Sequence, residues 1–202
     1  MRRGGARNAS TAWRSPWRSN YSNCWGTAAD QPLLQKLQIP LLMADDCIHG
    51  HSFWPGATIF PRSWAWQAPG TRLGGKGPRA TAVEVVPRDF TGPSRPVLCI
   101  SCDLRWGRVN ETFGMDPHLI GALEKAMIRG YQGQGLTDPT AILATTKHFV
   151  GYSETQGGRD ASEADISPAG DCVRGPSPFQ EAVEAGCRTF MLGYQAIDGW
   201  PN

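Results

Sequence analysis

The stretch TTKHFVGYSETQGGRD, residues 145–160, closes an apolar run with a lysine and a histidine side by side and follows them with glycines. Along a strand, neighbouring side chains point to opposite faces. Lys147 and His148 can therefore share one ligand only where the strand ends and the backbone turns, which marks a binding mouth. Two other groupings could do chemistry. CISC places Cys99 and Cys102 in a CxxC, but no helix start follows it as a redox motif needs, and no second ligand pair accompanies it as structural zinc needs. Chance or core packing is the reading for that pair. RLGGKGPR (72–79) has the glycines of a phosphate loop but follows no apolar run, so it is not read as one.

The elements that must position such a mouth come next. LQIPLLMADD (37–46), PVLCISCDL (96–104), AILATTKHF (141–149) and CRTFMLGY (187–194) are short apolar runs leading to polar tips. Near-continuous apolar strands imply burial on both faces, as in a parallel sheet covered by helices. Between the second and third run, DPHLIGALEKAMIRGYQG (116–133) predicts a helix. Asp116 is its N-cap and Pro117 its first residue; Leu119, Ile120, Leu123, Met127, Ile128 and Tyr131 form the stripe, and Gly130 and Gly133 end it. SPFQEAVEAGC (177–187) predicts a second helix, stopped by Gly186. Strand, helix, strand with polar residues at the carboxyl ends is an α/β pattern, and both doubly wound sheets and (β/α)8 barrels bind ligands there.

The 202 residues are 40% hydrophobic and 19% charged, which suits a globular domain with a sizeable core. A formal net charge of +2 gives no argument for nucleic acid or a polyanionic partner. Residues 1–28 read as a disordered basic arm carrying Arg2, Arg3, Arg7, Arg14 and Arg18, without the apolar stretch of a secretory signal. No apolar run approaches the roughly 20 residues that cross a bilayer, so no membrane partner is expected and the compartment stays open. Residues 62–79, 86–96 and 167–178 show no usable periodicity and read as long irregular segments.

Four blocks carry a resemblance. DDCIHGHSFWPGATIFP (45–61), DLRWGRVNETFGMDP (103–117), TKHFVGYSETQGGRD (146–160) and FMLGYQAIDGWP (190–201) occur in the order found in glycoside hydrolase family 3. Each resembles the matching block of that family's N-terminal barrel, in its β-glucosidase branch. The resemblance implies an incomplete (β/α)8 TIM-type barrel over 29–202, about six strands of eight. It also implies a retaining enzyme acting on terminal non-reducing β-D-glucosyl residues of a β-glucoside or oligosaccharide, with no cofactor and no metal. Asp46 matches the carboxylate that grips distal hydroxyls of the sugar, and Asp45 is its rival. Arg108 matches a second hydroxyl ligand, Lys147 and His148 a pair on the same ring, and Tyr194 a tyrosine near the nucleophile. Those types suit hydroxyls that both donate and accept. Trp106 is read as packing and His49 as structural. Non-proline cis peptides around Lys147–His148–Phe149 are implied as well.

Retaining chemistry needs two carboxyl groups about 5–5.5 Å apart. The family's nucleophile lies in an SDW-like motif that these residues do not contain, and Asp165, Asp171 and Asp198 do not end apolar strands in the right order. The nucleophile and acid/base are therefore expected beyond Asn202, on C-terminal segments completing the barrel, and the isolated chain is expected to be inactive. The irregular segments keep the family's length but not its character, as a corrected reading-frame slip would leave them. Cys102 stands where an arginine is usual and Leu104 where a proline is usual. That reading expects a damaged helix, a damaged inner strand and exposed apolar strand edges. The rivals are a β-N-acetylhexosaminidase of the same family, disfavoured because KHFVGYS replaces KHFPGHG, and a non-catalytic sugar-binding remnant.

Overall fold

A computed structural model of the chain describes residues 42, 44–67, 75–86, 92–93, 95–160, 162–164, 166 and 177–201. The chain divides into units Met1–Leu41 and Leu42–Asn202, and every described residue belongs to the second. The basic arm, Asp165, Asp171 and most of the irregular segment at 167–178 lie outside the described residues.

Three helices form one layer. α1 spans Lys76–Val85, α2 Pro117–Gln132 and α3 Pro178–Glu184, and α2 packs between the other two. α2 forms for the reasons its sequence offers. Asp116 accepts from the backbone N–H of His118 at 2.9 Å and Leu119 at 3.4 Å, Pro117 opens the first turn, and Gly133 (φ 57°) ends the helix, whereas Gly130, also expected to end it, stays inside. Its apolar stripe places Ile120, Met127, Ile128 and Tyr131 in the core with Leu98, Phe113, Ile142 and Phe179. α3 likewise lies inside the stretch predicted for it. α1 is a correction. Part of the sequence read as irregular is ordered: within 62–79 a 3-10 turn forms at Ser63–Gln67 and α1 begins, burying Thr81, Ala82 and Val85, and within 86–96 Gly92–Pro93 is a strand.

Four strand segments follow one another as parallel neighbours. β1 (Ala44–Asp45) pairs with β2 (Gly92–Pro93), and the chain just beyond β2 bridges at Val97 to β3 (Thr145–Phe149), which pairs with β4 (Thr189–Leu192). Backbone bonds from Thr145 to Arg95, Lys147 to Pro96 and Leu98 to Lys147 seal the middle of this run. A hairpin of β5 (Ala196–Ile197) and β6 (Trp200–Pro201) turns through Asp198 (φ 49°) and Gly199 (φ 82°). The expected six-strand partial barrel is thus present only in part, because the parallel run holds four segments and does not close among the described residues. Burial on both faces also fails at β4, where Met191 and Leu192 are exposed. No strand pairs with its far edge among the described residues.

α1 and α2 approach closely at Gly130. A Cβ there would stand 2.8 Å from the Cβ of Pro78 and closer still to the Gly75 carbonyl. Helix propensity alone favours alanine over glycine by about 1 kcal/mol, whereas overpacking costs about 1–3 kcal/mol. Gly130→Ala is therefore expected to lower stability by about 1 kcal/mol, seen as a lower urea midpoint; a higher midpoint would place the helices further apart.

Candidate functional site

The mouth at the strand ends is built from β1, the loop after Val97, β3 and the loop after β4. β1 delivers Asp45 and Asp46 in sequence, and their side chains part company. Asp45 Oδ1 accepts from the Asp46 N–H at 2.8 Å, and its Oδ2 lies 2.8 Å from His51 Nδ1. Asp46 Oδ1 instead accepts from Lys147 Nζ at 2.8 Å. Of the two carboxylates, Asp46 is the one that bonds to β3. The Lys147 side chain is 2% exposed and that of Asp46 39%. Burial pulls the lysine below its ordinary range while Asp46 pulls it back up.

Along β3 the register shifts between Lys147 and Phe149, and the Lys147–His148 and Phe149–Val150 peptides are cis, as the resemblance implied. Lys147 and His148 are both buried, while Phe149 is exposed. His148 Nδ1 sits 3.6 Å from Cys99 Sγ. Burial, then the charges of Arg108 and Lys147, push its pKa down to about 3, so the ring is neutral and can both donate and accept. Burial also pushes Cys99 up to about 12, which keeps a thiol beside that ring. Cys99 is buried with Val97, Trp106 and Tyr152, while Cys102 is exposed, so CISC closes no disulfide.

Arg108 pairs with Glu111 through two 2.8 Å bonds, from Nε to Oε1 and from Nη2 to Oε2. That partner holds the guanidinium firmly charged. Nη1 donates to Tyr152 Oη at 3.3 Å, and the guanidinium carbon lies 5.3 Å from the centre of the same ring. Tyr194 is 67% exposed. Its hydroxyl is 2.7 Å from Tyr152 Oη and 3.4 Å from Asp160 Oδ2.

Tyr152 is therefore the hub that sequence reasoning missed. Its fully buried ring lies 4.4 Å from the His148 ring, 5.6 Å from Trp106 and 5.3 Å from Tyr194, centre to centre. Glu111 and Asp160 were missed with it, although all three sit inside the quoted blocks. The available signal was an aromatic four residues after His148 in KHFVGYS, and nothing local says that its hydroxyl meets Arg108, Asp160 and Tyr194. Trp106 is buried and packs on Tyr152. His49 joins its loop through its backbone carbonyl, which accepts from Phe60 N at 2.9 Å. Asp198 sits in the hairpin turn, where it accepts from Ile166 N at 3.0 Å.

The structure thus joins Asp46 to Lys147, and joins His148, Arg108 and Tyr194 through Tyr152. Tyr152→Phe keeps the ring contacts and deletes the hydroxyl. It is expected to cost about 1 kcal/mol of stability in urea unfolding, the net worth of a buried hydrogen bond. An unchanged midpoint would show that the hydroxyl network contributes nothing.

A parallel α/β unit with hydrogen-bonding side chains gathered at its strand ends belongs to the class of ligand-binding α/β domains. The model for the glycosyl hydrolase family 3 N-terminal domain matches residues 22–202, and the chain belongs to that family. It is 28% identical over 172 residues to a periplasmic beta-glucosidase of Salmonella typhimurium, covering 83% of this chain and 21% of that protein. It is 33% identical over 184 residues to a beta-xylosidase of Formosa agariphila, covering 85% and 25%. Among solved structures, a beta-glucosidase of saponin metabolism from intestinal bacteria superposes with a TM-score of 0.75 at 47% identity, covering 91% of this chain and 24% of that one. A beta-glucosidase of Listeria innocua in complex with glucose superposes at 0.74 and 28% identity, covering 87% and 24%. The chain therefore spans about a fifth to a quarter of the relatives it matches. The N-terminal domain of such neighbours is TIM-barrel-like, which is the fold this unit represents in part. No described helix is long and apolar enough to cross a membrane.

Proposed function

We propose that this chain supplies the subsite of a retaining β-glucosidase that grips a terminal, non-reducing β-D-glucosyl ring. The observation that carries the reading is the convergence of separate blocks, with Asp46 on Lys147 at 2.8 Å and Arg108 and Tyr194 on the tyrosine that packs against His148. In this reading Asp46 accepts from two sugar hydroxyls, Lys147 and Arg108 donate, and neutral His148 does either. Tyr194, the most exposed of the set, closes the side towards the reacting carbon. The nucleophile and acid/base are placed in the remainder of the longer protein that the relatives represent, since retaining chemistry needs two further carboxyl groups about 5–5.5 Å apart. The substrate is a β-glucoside or oligosaccharide.

Calorimetry of the 202-residue polypeptide with D-glucose, D-xylose and N-acetylglucosamine tests the subsite. Glucose is expected to bind, with Lys147→Met abolishing the heat and with affinity flat from about pH 5 to 8, because His148 does not titrate there. A folded chain that binds no glucose overturns the subsite; tighter binding of xylose or N-acetylglucosamine reassigns the sugar. Hydrolysis of an aryl β-glucoside by the pure polypeptide overturns the placement of the reacting carboxylates.

A further inference from the structure

Asp45 ends β1 and Cys47 and His51 lie in the loop that follows; a carboxylate oxygen, a thiol sulfur and an imidazole nitrogen from them stand within 4.8 Å of one another. Cys47 and His51 are each 1% exposed, and Asp45 is partly buried beside them. Zinc takes ligands of these three kinds, at about 2.3 Å from sulfur and 2.0–2.2 Å from nitrogen or oxygen. We propose that Asp45, Cys47 and His51 form a binding site for one zinc-type divalent cation, with a fourth position for water.

Tetrahedral spacing asks the sulfur to approach by up to about an ångström and the nitrogen and oxygen to spread by about half that. His51 Nδ1 and Asp45 Oδ2 already lie 2.8 Å apart, and that direct contact gives way to two metal bonds. The imidazole then carries its proton on Nε2. The Cys47 thiol releases its proton to solvent, and the freed sulfur lone pair forms the third bond. A thiolate and a carboxylate together balance the two positive charges, which makes the loaded site neutral in its buried setting.

Asp46, Arg95 and Lys147 also face Cys47. Asp46 and Lys147 neutralise each other, while the Arg95 guanidinium is directed to Ser63 Oγ at 2.7 Å and to the Ile48 carbonyl. Thiolate ligation displaces the thiol proton, so metal binding weakens as pH falls. Asp46 lies between two of the ligands in the chain, so a bound ion would clamp the backbone that presents Asp46 to Lys147. The site stands independently of what sugar, if any, Asp46 holds.

The test titrates the metal-free, reduced full chain with Co2+ and then Zn2+. A single equivalent of Co2+ is expected to produce near-ultraviolet thiolate-to-cobalt charge-transfer absorption, which Zn2+ displaces while raising Tm. Cys47→Ser is expected to abolish that absorption and to weaken Zn2+ binding by more than about 100-fold, beyond what outer-shell partners contribute. Cys102→Ser, at an exposed thiol, is expected to change neither. Absence of the band in the unaltered chain, or a band that survives in Cys47→Ser, overturns the site.

Discussion

Glu124→Gln is expected to make the protein about 3 kcal/mol more stable at pH 7 and to flatten its stability between about pH 4.5 and 9. Glu124 lies on α2 facing α3, fully buried, and neither of its carboxylate oxygens has a hydrogen-bond partner. Burial, then the nearby Glu181 carboxylate, push its pKa from the ordinary 4.5 up to about 9, with Lys125 offsetting part of the rise. Lys125 is itself drawn to Glu181 at 3.3 Å and Glu184 at 3.6 Å, so it compensates Glu124 poorly. The folded state holds a proton that the unfolded chain loses above about pH 4.5. The full contribution of this side chain is therefore present below that pH and is lost as pH rises through the folded value. Glutamine keeps the shape and needs no proton. Urea unfolding of both forms from pH 4 to 9 checks this; a flat wild-type profile, or a variant weaker at pH 7, would contradict the buried protonated acid.

Asp46→Ala is expected to cost about 2 kcal/mol at pH 7, with the deficit shrinking as pH approaches 10. Removing the carboxylate leaves the Lys147 ammonium, 2% exposed, without its 2.8 Å partner. Breaking a fully buried pair costs about 3–5 kcal/mol, and the 39% exposure of the Asp46 side chain brings that down through solvent screening. Lys147 is already below its ordinary range, and losing Asp46 lowers it further. A lysine depressed in the folded state contributes its full stability above the unfolded value and loses it as pH falls through the folded one. Lys147→Met on the Asp46→Ala background is expected to recover most of the loss, since no unpaired charge remains to be buried. Equal stability of Asp46→Ala and wild type at every pH would show that the two side chains do not pair.

Much of the helical layer was legible because its signals are local. The Asp116 cap, Pro117, the apolar stripe and Gly133 lie within one short segment, and the structure uses each of them as expected. α1 was not legible, since Gly77 and Pro78 sit in its first turn amid a Pro-, Gly- and Arg-rich stretch. Proline is tolerated there because a first-turn N–H has no intrahelical partner to lose. The β5–β6 hairpin went unread: Asp198–Gly199 is a dipeptide whose backbone freedom suits a tight turn, but the strands flanking it are only two residues each and show no alternation. At β4 the apolar sequence suggested burial that the described neighbours do not supply.

For the site, the amino-acid sequence by itself determined the family, the order of the four polar blocks and the kinds of side chain each brings to a strand end. Only the tertiary structure decided which of two adjacent aspartates meets Lys147, and that Tyr152 links His148, Arg108 and Tyr194. The reason is separation along the chain. Asp46 and Lys147 are 101 residues apart, and whether two such groups touch is set by the packing and register of the strands between them. No local propensity encodes that.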